Sequence, residues 1–347
     1  MPKKYLFYIS QNYSFAILRP IQAVLRERGD EVCWFFEGHS ANPAYLTTDE
    51  RKLDSVEDVI AFNPDAVLVP ANSVPTFIPG LKVAVFHGFD AGKLDSHGRN
   101  DHFKVRGCFD LYCTQGPSTT EPFKKLQQQY GFFNVIETGW SALDALFEVD
   151  QQPSASAKPT VLLCSTFSKR LSCARPLYDT VADISRSGRW NWLVQFHPKM
   201  DPDVIDLYRG IQGEHLQYVE TDNVIPLLKQ ADIMVCDTSS VIPMFLVQNK
   251  PVVTLNNINP GPYLLDIHDP ALLEPSIEKA LKRPASLMQQ ISDYIAQTHP
   301  YSDARSSRRV VAAIDDILAG KFPLARRKPL NLLRNLKFRK RLGYWKL

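Results

Sequence analysis

Short apolar runs alternate with amphipathic stretches along this chain, the pattern of α/β units built around parallel sheets. In the first half, residues 4–10, 31–36, 66–69, 82–86, 111–114 and 134–137 predict strands. Between the first two, residues 13–28 place Ile17, Ile21, Val24 and Leu25 at helical spacing with Gly29 as the stop. Residues 151–159 are small, polar and proline-bearing, and predict a linker. The pattern then restarts, with strands at 161–164, 192–195, 217–219, 233–236 and 251–255 and helices at 175–187, 224–230 and 241–247. Two similar α/β halves usually place a ligand in the cleft between them, at the carboxyl ends of the strands. Helices at 284–297 and 306–318 close the body, and Gly320 ends the second. The expected division is 1–150, 151–320 and a tail at 321–347.

Composition supports an ordinary folded body: 44% apolar and 11% aromatic residues in 347 are enough to bury a core. No apolar run approaches the ~18 residues of a membrane-spanning helix, and residues 1–10 lack the apolar core of a secretory signal. The six cysteines are scattered without a C-x-x-C pair, so buried thiols in a reducing cytoplasm are expected.

Charge changes the picture at one end. The formal net charge is +3, but residues 321–347 hold ten basic residues and no acidic one, which leaves 30 basic against 37 acidic elsewhere, a net of −7. Nucleic-acid binders spread basic surface over a folded face or interleave stacking aromatics. With an acidic body, no nucleic-acid partner is expected. In the tail the cations are interleaved with leucines and aromatics, which suits an anionic bilayer surface; a solvated tail packed loosely on the body is the alternative.

Three places put a reactive side chain where a strand should end. Residues 83–86 deliver His87 to a strand edge, where Gly88 permits a tight turn and an imidazole with a pKa near 6.5 can act as general base; a histidine that merely caps the strand is the plain alternative. Residues 192–196 deliver His197, followed by Pro198, which stops the ladder, and by Lys199; His197 and Lys199 together can meet an anion, and a solvent-facing strand end is the plain alternative. Residues 233–236 lead into Asp237, Thr238, Ser239 and Ser240 and then a helix with Pro243 in its first turn. Hydroxyl residues ahead of free helix N–H groups suit a phosphate, or simply cap the helix. Neither a G-x-G-x-x-G nor a G-x-x-x-x-G-K-[ST] motif is present.

Taken in order, His87-Gly88, Thr114-Gln115-Gly116-Pro117-Ser118, Thr138-Gly139-Trp140-Ser141-Ala142-Leu143-Asp144, Phe196-His197-Pro198, and Asp237-Thr238-Ser239-Ser240 ahead of Asn249-Lys250-Pro251-Val252-Val253 resemble the CDP-glycerol glycerophosphotransferases of teichoic acid synthesis and their relatives in capsule and lipopolysaccharide loci. The resemblance covers most of residues 80–315. It implies a GT-B fold of the α/β class, two Rossmann-like domains facing a cleft, with the acceptor on the first and a CDP-linked polyol phosphate on the second. It also implies phosphoryl transfer with no cofactor and no catalytic metal. His87 is then the catalytic base for the acceptor hydroxyl, His197 is the second catalytic residue and contacts the donor pyrophosphate, and Gly88, Pro198 and Lys199 bind the donor. Asp237, Thr238, Ser239, Ser240 and Arg305 fall on the donor side. A lipid-linked glycan acceptor at the inner face of the plasma membrane follows from the same resemblance.

Two departures are visible. The family commonly has Asp-Gly before its last helix, whereas residues 301–308 read Tyr-Ser-Asp-Ala-Arg-Ser-Ser-Arg, leaving Arg305 or Arg308 to face the donor. After His87-Gly88 the family tends to have a polar residue and a lysine, and here only Lys93 remains. A nucleotide-sugar glycosyltransferase or a UDP-sugar 2-epimerase would use the same fold, although Asp90, Asp95 and Asp101 are not spaced as a sugar-ring carboxylate set. A non-catalytic scaffold is the third reading, disfavoured because the histidines and the hydroxyl turn are all present.

Overall fold

The computed structural model describes residues 2–90, 98, 100–148, 158–197, 199–221 and 223–346. Pro198, Lys93 and Asp95 lie outside the described residues, as does most of the expected linker. The contacts divide the chain into Met1–Ala145 with Asp303–Leu347, and Leu146–Ser302.

In the first unit the elements run β1 (Lys4–Ile9), α1 (Ser14–Glu27), β2 (Glu31–Phe36), β3 (Arg51–Leu53), α2 (Val56–Phe62), β4 (Ala66–Val69), β5 (Leu81–Ala84), β6 (Leu111–Thr114), α3 (Pro117–Tyr130) and β7 (Asn134–Glu137). The strands form a parallel sheet in the order β3-β2-β1-β4-β5-β6-β7. Central β1 reads Lys-Tyr-Leu-Phe-Tyr-Ile and is buried from Tyr5 to Ile9. A continuous apolar run of this kind fits a strand covered on both faces. The short β3 and α2 were not evident from periodicity; α2 is announced instead by a capping box, Ser55 with Asp58.

A short α4 (Asp144–Phe147) leads into the second unit: β8 (Thr160–Ser165), α5 (Ala174–Arg186), β9 (Asn191–Phe196), α6 (Pro202–Gly210), β10 (Leu216–Tyr218), α7 (Ile225–Gln230), β11 (Ile233–Cys236), α8 (Val241–Leu246), β12 (Val252–Leu255), β13 (Leu265–Ile267), α9 (Leu273–Leu281) and α10 (Ala285–Thr298). Its parallel sheet has the order β10-β9-β8-β11-β12-β13. The strand order reverses between β8 and β11, which is where open α/β sheets leave a crevice at their carboxyl ends. All six cysteines are buried free thiols.

The expected boundary at residue 320 is corrected. α11 (Ser306–Leu318) packs on α1 in the first unit, burying Val310, Val311 and Ile314, and Asp315 pairs with Lys3 and Arg28. The basic segment continues on the same unit as a bonded strap, not a loosely packed tail. Arg326 N donates to Gly131 O at 2.9 Å, Lys328 Nζ lies 2.6 Å from Asp110, and Asn331 Nδ2 donates to Gly107 O at 2.6 Å. Gly107 must be glycine there: its φ is +72° and a Cβ would stand 2.7 Å from Pro329 Cγ. The strap ends in α12 (Leu332–Leu342), whose Phe338 is buried and whose Asn335 donates to Thr76 Oγ1 at 2.6 Å. Beyond Gly343, Tyr344 stacks on Phe77 with ring centroids 5.6 Å apart. No helix among the described residues is long and apolar enough to cross a membrane.

Candidate functional site

The strand expected to run through residue 86 stops at Ala84 because Phe86 turns into the left-handed region, with φ +54°. A buried aromatic residue in that conformation is strained by roughly 1–3 kcal/mol and persists only where its surroundings fix it. Here they do. The Phe86 ring stacks on His102 at 5.2 Å and meets Phe123 edge-on at 5.4 Å, and its carbonyl accepts from Trp140 Nε1 at 3.3 Å. The turn expected at Gly88 is therefore made at Phe86; Gly88 has no positive φ, and its carbonyl accepts from Gln115 Nε2 at 2.9 Å.

The turn presents an exposed His87 beside Tyr13, with ring centroids 5.5 Å apart, and sets its Nδ1 3.2 Å from Pro70 O. A carbonyl oxygen only accepts, so the Nδ1 of this ring carries a proton, and in the neutral imidazole the lone pair is then on Nε2. His102 behind it is held neutral: burial lowers its pKa, against the opposing charge of Asp90.

At the carboxyl ends of the second sheet, His197 follows β9 and packs on Phe167 with ring centroids 4.6 Å apart. Its Nδ1 accepts from Lys199 N at 3.1 Å. A backbone N–H only donates, so in this ring the proton is on Nε2. Burial first, then the Lys199 ammonium, lowers the His197 pKa and keeps the ring neutral. The Lys199 ammonium itself sits 5.9 Å above the Phe167 ring. The two histidines therefore present opposite faces of the same chemistry: an acceptor nitrogen at His87 and a donor N–H at His197.

Asp237, expected on the donor side, braces the second sheet. It lies at the switch point after β11 and is fully buried. Its carboxylate accepts from Ser165 Oγ at 2.6 Å, Thr166 N at 3.0 Å and Cys173 N at 3.0 Å, tying β11 to the β8–α5 connection. Burial raises its pKa while these donors pull it back. Thr238 is also engaged, its Oγ1 accepting from Ile258 N at 3.0 Å, and Asn257 Nδ2 donates to Asp237 O at 2.8 Å. Ser239 accepts from Val241 N only at 3.4 Å, and exposed Ser240 precedes α8 without capping it through its side chain. Pro243 is the third residue of α8, in the first turn as expected. Ser165, Thr166, Cys173 and Asn257, which meet Asp237, and Phe167, which meets His197, were missed from sequence, since each comes from a distant position and no local pattern marks it.

The remaining motifs build the frame. Ser141 Oγ donates to Ile17 O at 2.7 Å, Trp140 holds Phe86, and buried Asp144 accepts from Ser306 N at 2.9 Å and Ser307 N at 2.8 Å, which caps α11. Arg305 is exposed in the first unit, with its N donating to Asp303 Oδ1 at 3.2 Å; Arg308 is paired with Glu27 at 2.8 Å. The sequence reading placed Arg305 in the second domain. At the position where the resemblance has glycine, Ala304 adopts the left-handed conformation, with φ +54°. That strain of about 1–2 kcal/mol exceeds the ~0.4–1 kcal/mol by which glycine loosens the unfolded chain. Ala304→Gly should accordingly raise the unfolding free energy by about 0.5 kcal/mol, read from urea denaturation midpoints at unchanged slope, whereas a loss of stability would show that the loop is held by something other than this backbone angle.

No family model matches the chain and no curated protein matches it. Among solved structures, the wall teichoic acid polymerase TagF is similar with a TM-score of 0.63 and 14% identity, over 92% of this chain and 90% of that one. A UDP-N-acetylglucosamine 2-epimerase is similar with a TM-score of 0.63 and 14% identity, over 95% and 99%. MnaA of S. aureus, solved with UDP, is similar with a TM-score of 0.62 and 16% identity, over 91% and 97%. The fold is GT-B. At these identities the likeness speaks for the two Rossmann-like domains and their topology, and the chemistry has to be read from the side chains.

Proposed function

We propose that this chain is a GT-B transferase that moves glycerol phosphate, or a related polyol phosphate, from a CDP-activated donor to a hydroxyl of a cell-envelope glycan of lipopolysaccharide, capsule or teichoic acid type. The observation that carries the reading is the opposed protonation of the two strand-end histidines, one set as an acceptor by Pro70 O and one set as a donor by Lys199 N. In-line phosphoryl transfer needs these two things, a base for the incoming hydroxyl and N–H groups or cations for the charge that develops on the leaving phosphate. Nε2 of His87 takes the acceptor proton, the acceptor oxygen forms a bond to the phosphorus that bears the polyol, and the bond from that phosphorus to CMP breaks. His197 Nε2–H, the Lys199 ammonium and the 239–240 turn receive the charge on CMP. The scheme uses no metal and no cofactor. TagF, one of the structural neighbours, has been solved as a variant soaked with CDPG, which favours this donor class.

The same reading has a lipid-linked acceptor and places the enzyme at the inner face of the plasma membrane. The neighbouring UDP-N-acetylglucosamine 2-epimerase sustains a second reading, a UDP-sugar enzyme. Melting of the protein with CDP-glycerol, CDP-ribitol, CMP-sugars and UDP-sugars separates the two. A donor at a hundred times its dissociation constant stabilises by about 2.7 kcal/mol. CDP-polyols should raise the melting temperature, and CDP-glycerol with envelope glycan should release CMP; a shift with UDP-sugars alone would transfer the protein to the second reading.

A further inference from the structure

Among the described residues, seven of the fourteen exposed large apolar side chains lie between residues 322 and 345. Scattered exposed leucines are ordinary on a folded protein, but a concentration in one short segment marks a contact surface. Within it, Leu332, Leu333 and Leu336 are 71%, 80% and 53% exposed, and Leu330 just ahead of them is 76% exposed.

α12 explains why they stay outside. At about 100° per residue, Asn335, Phe338 and Leu342 fall on one face, and that face is the docked one: Asn335 bonds Thr76, Phe338 is buried, and Leu342 packs against the first unit's core. Leu332, Leu333, Leu336, Lys337 and Lys340 fall on the opposite face. Both lysines are exposed.

The cations of the strap divide in the same way. Lys321, Lys328, Arg341 and Lys346 pair with Asp316, Asp110, Glu37 and Glu57 of the first unit, and Arg339 lies over the Phe77 ring at 4.5 Å. Lys337 and Lys340 have no ion pair among the described residues, and no carboxylate occurs anywhere in 321–347. The inward charges hold the helix down, and the outward ones are left for a partner.

From this division we infer that the outer face of α12 is a binding surface for an anionic lipid bilayer. Leucines enter the interfacial layer, and lysines on the same face reach the anionic headgroups with their ammonium groups while their stems stay apolar. Between Leu332 and Lys340 this outer face has no aromatic anchor of the kind that dominates protein interfaces. Docking also removes the usual cost of folding an amphipathic helix at the membrane, because α12 is already helical on its own unit. The surface extends the functional reading above and stands or falls separately, because vesicle binding is measured without donor or acceptor.

The test is co-sedimentation of the full chain with vesicles of phosphatidylcholine alone and of phosphatidylcholine containing phosphatidylglycerol. The wild type should bind the anionic vesicles and bind the neutral ones far more weakly. The triple change Leu332→Ser, Leu333→Ser, Leu336→Ser and, separately, Lys337→Glu with Lys340→Glu should each weaken anionic-vesicle binding by about tenfold or more. Melting temperatures and the shift given by CDP-glycerol should stay those of the wild type, which separates loss of the surface from loss of the fold. Failure of the wild type to bind anionic vesicles, binding at the wild-type level by either variant, or a wild-type dimer that the leucine changes dissociate would each overturn the inference, the last by making the face a protein contact.

Discussion

His87→Ala should lower CMP release from CDP-glycerol by roughly 10²–10⁴-fold, the usual contribution of a positioned general base, or about 3–5 kcal/mol of transition-state stabilisation. The expectation rests on geometry. Phe86 is held at φ +54° by rings on either side and by Trp140, and this backbone turn, with Pro70 O fixing a proton on Nδ1, leaves Nε2 as the basic nitrogen of the neutral ring. The imidazole is exposed, so alanine there leaves no buried cavity and the variant should melt within a degree or two of the wild type. The donor-induced thermal shift should also survive, because the base acts on the acceptor. Single-turnover CMP release alongside donor melting distinguishes the outcomes: activity within threefold of wild type would remove His87 from the reaction, and loss of the donor shift would make it a donor-binding residue.

The second large effect is on stability. Asp237→Ala should lower the unfolding free energy by about 3–5 kcal/mol, since Thr166 N and Cys173 N lose their acceptor in a buried setting and each unsatisfied donor costs roughly 1–3 kcal/mol. Ser165 loses less, because its hydroxyl lies 2.8 Å from Ser172 Oγ as well. Asp237→Asn should cost less than alanine, as the amide oxygen still accepts. Burial raises the Asp237 pKa, so the folded protein holds this proton more tightly than the unfolded chain. The wild-type advantage over asparagine therefore shrinks as pH rises from the ordinary carboxylate range, near 3.8, toward the raised value. Calorimetry across that pH range reads both effects; an alanine variant as stable as the wild type would return Asp237 to the donor site.

The sheets were largely legible because their strands are continuous apolar runs: 31–36, 66–69, 111–114, 134–137 and 233–236 match the observed elements residue for residue. The histidines were legible for the same reason, since a polar ring at the end of such a run has to sit at a sheet edge. What each ring does was not, because its tautomer is set by Pro70, seventeen residues away, and by the Lys199 backbone. Asp237 looked like a ligand contact because its neighbours Thr238, Ser239 and Ser240 suit phosphate, while the groups that saturate it come from positions 64 to 72 residues earlier. The strap misled for another reason. Its composition describes both faces of α12 at once, and only the docked structure shows which cations are already used.

The return of the chain to its first unit fixes an order of assembly. Asp144 and Ser306 meet although 162 residues separate them, and closing a loop of that length costs roughly 4–5 kcal/mol on chain-length scaling alone. The second unit is continuous from Leu146 to Ser302, and its own ends lie together, with the Phe147 and His299 rings 6.3 Å apart. Once that unit has folded, the long loop is already closed, and α11 is delivered beside the Asp144 carboxylate that caps it. During synthesis the inserted unit can be complete before residues 303–347, which finish the first one, have left the ribosome, so the first unit is completed after the second.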